Sequence, residues 1–598
     1  MELEQHEKLG NWFHGALIGF PRRLALLLPL LPPLLLFRQI MICSVNVPFG
    51  DQWNGLAMLI PKWLAGSLSF ADLFAQHNEH RIFFPRVVSL GLAKLSSYDV
   101  RYEMVLSFLC ACVFFLCLWY YLRLTSRSNH ASLTIPLCFI SMLTFGPIQY
   151  ENWLWGFQLS LFLPATCLAA VLALSVSRYT IAIKYIIGIL LTIVGMYSSG
   201  NGILLWVLVL PVLMITDWER FSRHIWLVFP WILVAALNIG LYFIGYVRPG
   251  HHPKLSIAFT QPWNALLYFM AFLGMPLAAG FEAKLKAALA CGAILVICFG
   301  CIAAYIFLVS RDRQLIGKTI GWLSLAAYAL LSDALATICR VGFGPDQALA
   351  SRYTTFAINL IISLIVLVPA TLKHFAQSRP KWINEIQVAH VASLLAGFLL
   401  CAHIAASMTG VYAMRAVHAA RLELKAKLQL WQVMPEATDL RGIFASEEMA
   451  RDISLQLDGL GMIRPKMVTA STIEDVLDRS SKGIFGSIEA FASDKANDGA
   501  ILASGWAILP QRRECADVVV FTCNPSGSSE TMFDLAERGI PRPDVVQALS
   551  SDRYFLSGWR KRIPRNRIPL GCTEISAWSY DSEARRAYRL LNPQALPQ

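Results

Sequence analysis

The chain has 598 residues, of which 56% are hydrophobic and only 15% are charged, and its mean hydropathy is +0.52. An ordinary soluble domain is about 45–50% apolar and about 25% charged, so this composition excludes a soluble enzyme, a disordered chain and a small disulfide scaffold. The net charge is +12; the first 410 residues have 27 basic and 16 acidic residues, whereas the remainder has 24 and 23. Membrane topology and anionic lipids already explain positive charge beside membrane spans, so the charge is weak evidence for nucleic-acid binding. The composition therefore predicts an integral membrane protein.

Apolar runs of about 20 residues, long enough to cross about 30 Å of hydrocarbon, recur along residues 1–410. The first runs from Leu24 to Cys43, directly after Arg22 and Arg23, and Pro32 predicts a kink in it. Ten further spans are predicted to start near Met104, Ser132, Gln158, Ile181, Ile203, Ile225, Ala287, Thr319, Thr354 and Val388. The sequence thus predicts a mainly α, polytopic transmembrane bundle of about eleven spans.

The charges of the short loops predict the orientation, because cytoplasmic loops carry an excess of Lys and Arg. Every second loop is basic: Arg123 and Arg127; Arg178 and Lys184; Arg220 and Arg223; Arg311, Arg313 and Lys318; Lys373, Arg379 and Lys381. Residues 263–280 are apolar enough to cross, but counting them as a span would reverse the later loops, so we interpret them as re-entrant or interfacial. An odd number of crossings predicts a cytoplasmic N-terminus and a periplasmic C-terminal domain, in a bacterial inner (cytoplasmic) membrane.

The first outer loop, residues 44–103, is far longer than most connections. Apolar residues at helical spacing predict two interfacial helices, Leu56 to Phe74 and Ile82 to Leu95. Asp51 lies about seven residues beyond the first span, where a carboxylate could act as general base for a hydroxyl nucleophile. A helix N-cap is the alternative for Asp51. Such a loop favours a lipid-linked substrate handled at the membrane surface.

The same loop contains the string HNEHR, residues 77–81. On a helix, His77 and His80 would share a face and, with Glu79, could ligate a divalent metal ion. The polar edge of an interfacial helix is the alternative, so no cofactor is certain. Arg81 follows directly and could contact a phosphate.

A second outer loop reads QYENWLWGFQ over residues 149–158. Its rings, including Trp153 and Trp155, are typical of the interfacial aromatic belt. The carboxylate of Glu151 and the amide of Gln158 are less expected there. Together they resemble a sugar site, in which rings pack on pyranose faces and amides bind hydroxyl groups.

Later outer loops bring two more guanidinium groups. Arg340, and Arg352 beside Tyr353, could hold a phosphate bidentately, with lipid phosphate as the alternative partner. Asp333 lies about two turns inside its span, where a charged carboxylate is costly. We therefore expect Asp333 to face a cavity or Arg340.

With these elements in place, residues 20–410 resemble the GT-C superfamily of membrane glycosyltransferases, which includes aminoarabinose, protein-mannosyl and RgtA/B/C/D-like transferases. The resemblance rests on an acid after the first span, interfacial helices in the first loop, an acidic second loop and a late Arg-Tyr pair. The strings FGDQW, HNEHRIFFPR and QYENWLWGFQ resemble bacterial members.

The resemblance implies an inverting enzyme that moves a sugar from a polyprenyl-phosphate donor to a cell-envelope glycan or lipid acceptor at the periplasmic face. It implies that Asp51 is the base and that Glu151 is a second acid orienting the acceptor or a metal. Arg352 and Tyr353 would clamp the donor phosphate. Many members have paired acids at the first site, whereas here Gln52 follows Asp51.

The pattern changes from residue 411 onward. Residues 411–483 predict a helical and mixed connector, with a helix from Val411 to Leu430. Residues 484–598 predict a periplasmic β-sandwich-like domain, because short apolar runs alternate with turn residues. The runs are Ile484 to Phe491, Ala500 to Ile508, Ala516 to Thr522, Arg553 to Trp559 and Thr573 to Tyr580.

Cysteines and tryptophans of this tail allow two further predictions. Cys515 and Cys523 bracket one predicted strand, which would hold them about 26 Å apart, so only Cys572 could pair with either. Trp506 and Trp559 are interpreted as core residues, with exposed sugar-stacking rings as the alternative.

Two other functions stay open: a transporter or flippase of lipid-linked sugars, and a non-catalytic envelope-glycan assembly protein. A transporter is expected to have several ionisable residues near the bilayer midplane and repeated halves, whereas this sequence has Asp333 alone and no clear repeat. The expected partners are a polyprenyl-phosphate sugar, a glycan or lipid acceptor and membrane lipids, but no nucleic acid.

Overall fold

The structure, a computed structural model, describes residues 27–126, 130–216, 218–250, 252–378, 385–480, 483–494, 500–525 and 529–596. The predicted cytoplasmic N-terminus with Arg22 and Arg23 lies outside these residues, as do Arg127, Arg379 and Lys381 of the loop-charge pattern. The chain forms two compact units. The first, here called the helical unit, comprises Met1–Ser44, Ser69–Val88 and Tyr102–Arg415. The second unit comprises Val45–Leu68, Ser89–Arg101 and Ala416–Gln598, so parts of the first outer loop belong with the tail.

Long apolar helices dominate the helical unit, since a helix satisfies its own backbone hydrogen bonds in lipid. Among the described residues, eight helices are long and apolar enough to cross a membrane: Arg101–Thr125, Leu133–Trp153, Gly156–Ser175, Ile225–Phe243, Lys284–Ser310, Arg313–Phe343, Ser351–Ser378 and Ile386–Leu430. Shorter apolar helices cover Leu28–Cys43, Ile181–Met196, Gly200–Thr216 and Pro262–Ala278. A multi-pass membrane protein is therefore confirmed. Each predicted span overlaps one of these helices, but the count of eleven crossings stays a prediction.

The helix Pro262–Ala278 occupies the segment that was interpreted as re-entrant or interfacial. Its 17 residues reach about 26 Å, a little less than the hydrocarbon thickness. It packs closely on Lys284–Ala304, because Gly274 and Gly292 leave no side chain at the contact. A Cβ on Gly274 would lie 1.9 Å from the carbonyl oxygen of Ala288. The interpretation as re-entrant stays a prediction.

The first outer loop is less regular than predicted. The single helix predicted from Leu56 to Phe74 is wrong, because the chain forms three short helices, Trp53–Ala57, Leu59–Leu64 and Phe70–Phe74. Gly66 interrupts them with a φ of 70°, a left-handed conformation that glycine adopts without a steric penalty. The second predicted helix is confirmed as Phe83–Ser96.

The last long helix before the β-rich region is longer than predicted. The predicted span from Val388 and the predicted helix Val411 to Leu430 are one helix, Glu385–Leu430, of 46 residues. At 1.5 Å per residue it is about 69 Å long, more than twice the hydrocarbon thickness. Part of this helix therefore extends beyond any single hydrocarbon layer.

The second unit contains the predicted β-rich region, as two antiparallel sheets. The strands are numbered along the whole chain, after a hairpin of β1 Gln76–His77 and β2 His80–Arg81 in the first outer loop. Their bounds are β3 Gly486–Ser493, β4 Ile501–Leu509, β5 Glu514–Cys515, β6 Val518–Pro525, β7 Thr531–Ala536, β8 Arg538–Ile540, β9 Gly558–Ile563, β10 Cys572–Asp581, β11 Arg586–Arg589 and β12 Gln594–Ala595. One sheet has the order β11-β10-β6-β7 with β12 beside β10, and the other has the order β3-β4-β9-β8 with β5 beside β4. Both sheets contribute to one apolar core, which includes Ile501, Phe521 and Trp559.

The structure tests two predictions about this region, one on a strand boundary and one on its tryptophans. The predicted strand from Arg553 is wrong, since Asp552–Tyr554 is a 3-10 turn and the strand begins at Gly558. Trp559 is 1% exposed, which confirms it as a core residue, and Trp506 packs against a second small cluster with Ile508.

A disulfide joins the two neighbouring strands β6 and β10. It links Cys523 to Cys572, whose Cα atoms are 5.6 Å apart. The prediction that Cys572 is the one possible partner of Cys515 or Cys523 is confirmed. Cys515 is buried as a free thiol.

Candidate functional site

The string predicted as a helix in the first outer loop is a hairpin of β1 Gln76–His77 and β2 His80–Arg81, in which His77 lies opposite His80. Asn78 takes the left-handed turn position with a φ of 48°. The side-chain amide of Gln76 holds the hairpin, since it donates to the Val247 carbonyl at 2.6 Å and accepts from the Val247 amide at 2.9 Å. The predicted shared helix face of His77 and His80 is therefore wrong.

Arg81 anchors this hairpin to the end of the helix Val228–Phe243. Its guanidinium donates to the carbonyl of Tyr242 at 2.6 Å, to that of Phe74 at 2.7 Å and to that of Ile244. These three carbonyls accept hydrogen bonds from Nε, Nη1 and Nη2 of the Arg81 guanidinium. Arg81 is thus a positioning residue, and we correct its assignment as a phosphate ligand.

The hairpin turn brings Glu79 into a group of ionisable side chains, here called the Glu79 cluster: Glu79, His80, His252 and Arg340. Arg340 donates from Nη2 to Oε1 of Glu79. His80 Nε2 lies 3.7 Å from Oε1, and His252 Nδ1 lies 3.6 Å from Oε2. Burial by itself raises the pKa of the Glu79 carboxyl, but His80, Arg340 and His252 together lower it to about 2. Glu79 is therefore ionised at neutral pH.

The orientation of His80 depends on a glycine from a distant loop. The backbone N–H of Gly200 donates to Nδ1 of His80 at 3.0 Å. Because Nδ1 accepts, the neutral ring carries its proton on Nε2, the nitrogen that faces Glu79. A Cβ on Gly200 would lie 2.8 Å from Nδ1, so a side chain there would displace the ring.

The metal centre predicted at His77, Glu79 and His80 is not assembled. In the described part of the chain, no group of three or more His, Cys, Asp or Glu residues could hold a metal ion. His77 instead packs against the ring of Phe157, with 5.1 Å between ring centroids. The guanidinium of Arg340 lies beside Glu79, so the prediction is corrected to an ion-pair cluster.

The low pKa of Glu79 makes the stability of the fold depend on pH. The pKa falls from an ordinary value of 4.5 to about 2 on folding, so ionised Glu79 stabilises the fold above about pH 4.5. This contribution is lost as the pH falls from about 4.5 towards 2. We expect Tm, measured on the purified protein in detergent micelles, to fall more steeply over this range in the wild type than in Glu79→Gln. The exposed Glu282→Gln provides the control, and equal slopes for wild type and Glu79→Gln would contradict the prediction.

The second outer loop is joined to the loop that contains Arg352. The carboxylate of Glu151 accepts from the backbone N–H of Arg352 at 2.8 Å, and Glu151 N–H donates to Ser351 Oγ at 3.3 Å. Asn152 donates to the Arg352 carbonyl at 2.9 Å. Glu151 is half-buried and therefore positions the backbone of Arg352.

Two glutamine side chains and one tryptophan of this loop are buried in the protein. Gln149 is fully buried, and Thr355 donates to its side-chain oxygen at 2.6 Å. Trp153 is fully buried and donates from Nε1 to the Gly146 carbonyl at 3.0 Å, and Gln158 is 4% exposed. Trp153 is therefore a packing residue in this structure, whereas the substrate-binding role of Gln158 stays a prediction. Of the two tryptophans predicted to contact a sugar, Trp155 is the one that is only half-buried.

Arg352 has the side chain best placed for an anion. Its guanidinium lies over the ring of Tyr353, 5.5 Å from the ring centroid, and Tyr353 stacks on Phe272 at 5.0 Å. Among the described residues the guanidinium of Arg352 has no hydrogen bond and no ion pair, and the residue is half-buried. Its donors therefore stay available for a ligand.

Tyr268 and Tyr353 connect Arg352 with the Glu79 cluster. Arg340 lies within electrostatic range of both tyrosines, and Tyr268 donates to the side chain of Gln347 at 2.8 Å. Asp333 also lies within range of Tyr268 and is fully buried. Thr337 donates to one oxygen of Asp333 at 3.3 Å, and within the described residues the other oxygen has no partner.

Asp51 belongs to the second unit, whereas the Glu79 cluster, Glu151 and Arg352 belong to the helical unit. Asp51 is half-buried and precedes the short helix Trp53–Ala57. The residue in the N-cap position of that helix is Gln52, and its side chain accepts from the Phe49 amide at 3.1 Å. The Asp51 carbonyl accepts from the Gly55 amide at 2.8 Å, and both the N-cap alternative and the role of Asp51 as a base stay predictions.

Sequence reasoning missed His252, Gly200 and Tyr268 as contributors to the site. Each comes from a segment far from the predicted motifs, and a lone glycine or tyrosine carries no local pattern. The neighbouring histidines 251 and 252, in a predicted outer loop, were the one available signal.

Comparison with known proteins finds no matching family model, no matching curated protein and no matching solved structure. The chemistry of the site is therefore the basis for a functional assignment.

Proposed function

We propose that the protein is an inverting membrane glycosyltransferase of GT-C type, which moves a sugar from a polyprenyl-phosphate donor to a cell-envelope glycan or lipid acceptor. The observation that carries the proposal is the half-buried guanidinium of Arg352, which has no hydrogen bond among the described residues. It stands at the start of the apolar helix Thr354–Ser378. A guanidinium fork at the end of a membrane helix suits a phosphate that is linked to a lipid.

The chemistry of such a transfer needs a base and cationic stabilisation of phosphate. The acceptor oxygen forms a bond to the anomeric carbon, the bond from that carbon to the phosphate oxygen breaks, and the acceptor proton passes to a carboxylate. Polyprenyl phosphate is already a good leaving group, so a strong acid on the donor side is not required. Arg352 would bind the leaving phosphate, because Arg340 is already paired with Glu79.

Other residues, from both units, have roles in this proposal. Glu151 positions Arg352 through its backbone amide. The half-buried ring of Trp155 offers a surface for a pyranose. Asp51 is the proposed base. The disulfide Cys523–Cys572 supports a periplasmic tail, since disulfides persist in oxidising compartments.

The direct test is to supply the purified protein with a panel of polyprenyl-phosphate sugars and to measure sugar release and transfer. A glycosyltransferase releases sugar from at least one donor. A flippase or a non-catalytic assembly protein releases none, and movement of a donor across vesicles without release would support the flippase.

Arg352→Lys tests the phosphate clamp at constant charge. Lysine is a point charge without the planar fork, so we expect the Kd for the donor to rise by about tenfold or more. Arg313→Lys is the matched control, because Arg313 is exposed and starts the helix that ends at Arg340. Equal donor affinity in wild type and Arg352→Lys would show that the fork does not bind the donor.

A further inference from the structure

A second concave site lies in the helical unit, outside the candidate site. It is a groove of about 650 Å³ between the first turn of the helix Ile181–Met196 and the segment that leads into the helix Val228–Phe243. The hydroxyl of Tyr185 donates to the Leu227 carbonyl at 2.9 Å and so joins the two segments. The groove is thus part of the packed helix framework.

The groove and the Glu79 cluster lie at opposite ends of the same helices. The chain that follows Met196 leads to Gly200, which binds His80, and the far end of Val228–Phe243 supplies the Tyr242 carbonyl that binds Arg81. Each helix has 16 residues and is about 24 Å long. The groove therefore faces the opposite membrane surface from the candidate site.

Two basic side chains and an apolar wall line this groove. Arg223 is exposed and His224 is half-buried, and both face the groove with Trp226. Trp226 is 64% exposed and Ile186 is 57% exposed, although both belong to apolar helix ends. Such an arrangement is typical of the level at which lipid headgroups meet the hydrocarbon.

The nearby Lys184 does not line this groove. Its ammonium is buried and donates to the Ser175 carbonyl at 2.7 Å. Among the described residues, the guanidinium of Arg223 has no hydrogen bond and no ion pair. Arg223 is therefore the residue of the groove best able to bind an anion.

We propose that this groove binds an anionic phospholipid of the adjacent leaflet. Arg223 and His224 hold the lipid phosphate, while Ile186 and Trp226 contact the glycerol and the first acyl carbons. Three observations carry the proposal: the positive charge of Arg223 complements the phosphate, exposed apolar side chains lie beside it in the same groove, and the volume suits a small-molecule site. The proposal does not depend on the proposed glycosyltransferase activity.

Binding of fluorescent phosphatidylglycerol to the full-length protein in detergent micelles tests the charge. We expect the wild type to bind phosphatidylglycerol more tightly than phosphatidylcholine, and Arg223→Gln to weaken phosphatidylglycerol binding by about fivefold or more. Arg313→Gln, an exposed arginine at the same end of the helical framework, is expected to bind like the wild type. Equal binding by wild type and Arg223→Gln, or an equal loss in both variants, would overturn the proposal.

Ala182→Trp tests the groove without a change of charge. Ala182 is exposed and lines the groove, so an indole there fills the space and is expected to abolish specific binding of phosphatidylglycerol. An unchanged elution profile and Tm would show that the variant is folded. Inorganic phosphate at millimolar concentration is expected not to displace the lipid, because the acyl contacts are absent. Full binding by folded Ala182→Trp, or displacement by phosphate, would contradict a lipid site.

Discussion

Asp51→Asn is expected to lower the rate of sugar transfer by about 10²–10⁴-fold, the usual cost of losing a general base. Asparagine keeps the shape of the side chain and most of its hydrogen bonding but cannot accept the acceptor proton. Asparagine caps a helix about as well as aspartate, so the change is expected to have little effect on stability even if Asp51 caps the helix Trp53–Ala57. Turnover with the preferred donor is the measurement, while Tm and donor binding stay near wild type.

Asp99→Asn is the matched control for this experiment. Asp99 is another carboxylate of the first outer loop in the second unit, and it is paired with Arg101 at 2.6 Å. We expect this variant to keep most of its turnover. If Asp51→Asn retained more than about a tenth of the wild-type rate, Asp51 would leave the mechanism. Glu151 would then be the next carboxylate to test.

Arg340→Gln is expected to reduce the free energy of unfolding by about 1–3 kcal/mol, because it leaves the half-buried Glu79 carboxylate without its hydrogen-bonded guanidinium. The measurement is denaturant or thermal unfolding of the purified protein in detergent. Glu79→Gln with Arg340→Gln removes both charges and is expected to recover much of the loss. The double-mutant cycle then gives the coupling between the two side chains directly.

Additive effects of the two substitutions would contradict a specific ion pair at this position. So would an Arg340→Gln variant as stable as the wild type. Arg248→Gln is a suitable control, since Arg248 is exposed and donates to nearby backbone carbonyls in the loop that contains His252. We expect that control to change the free energy of unfolding by less than about 0.5 kcal/mol.

Hydropathy and residue type predicted much of the helical unit. Each predicted span overlaps an observed helix, because helix hydrogen bonds are local and need no partner from elsewhere in the chain. The reach of an extended strand left Cys572 as the partner of Cys515 or Cys523, and the tertiary structure selected Cys523. Two helix boundaries were predicted wrongly. Gly66 interrupts one predicted helix, whereas Gly410 does not end the helix Glu385–Leu430, which joins two predicted helices.

The roles of individual side chains at the site did not follow from residue type. Arg81 and Arg352 were both predicted as phosphate ligands, Arg352 also because of its resemblance to a family Arg-Tyr pair. Arg81 is occupied by backbone carbonyls, two of which lie 161 and 163 residues away, whereas Arg352 is left with its donors available. Trp153 and Trp155 differ in the same way, since one is fully buried and the other is half-buried.

The sequence by itself determined that this is a multi-pass membrane protein with a β-rich C-terminal region, since apolar run length and strand patterning depend on neighbouring residues. Tertiary structure alone decided that residues 76–81 form a hairpin, that Glu79 pairs with Arg340, and that His80 depends on Gly200. The physical reason is that a polar side chain in a buried loop takes whichever partners the fold brings to it. For Glu79 and His80 those partners lie 261 and 120 residues along the chain.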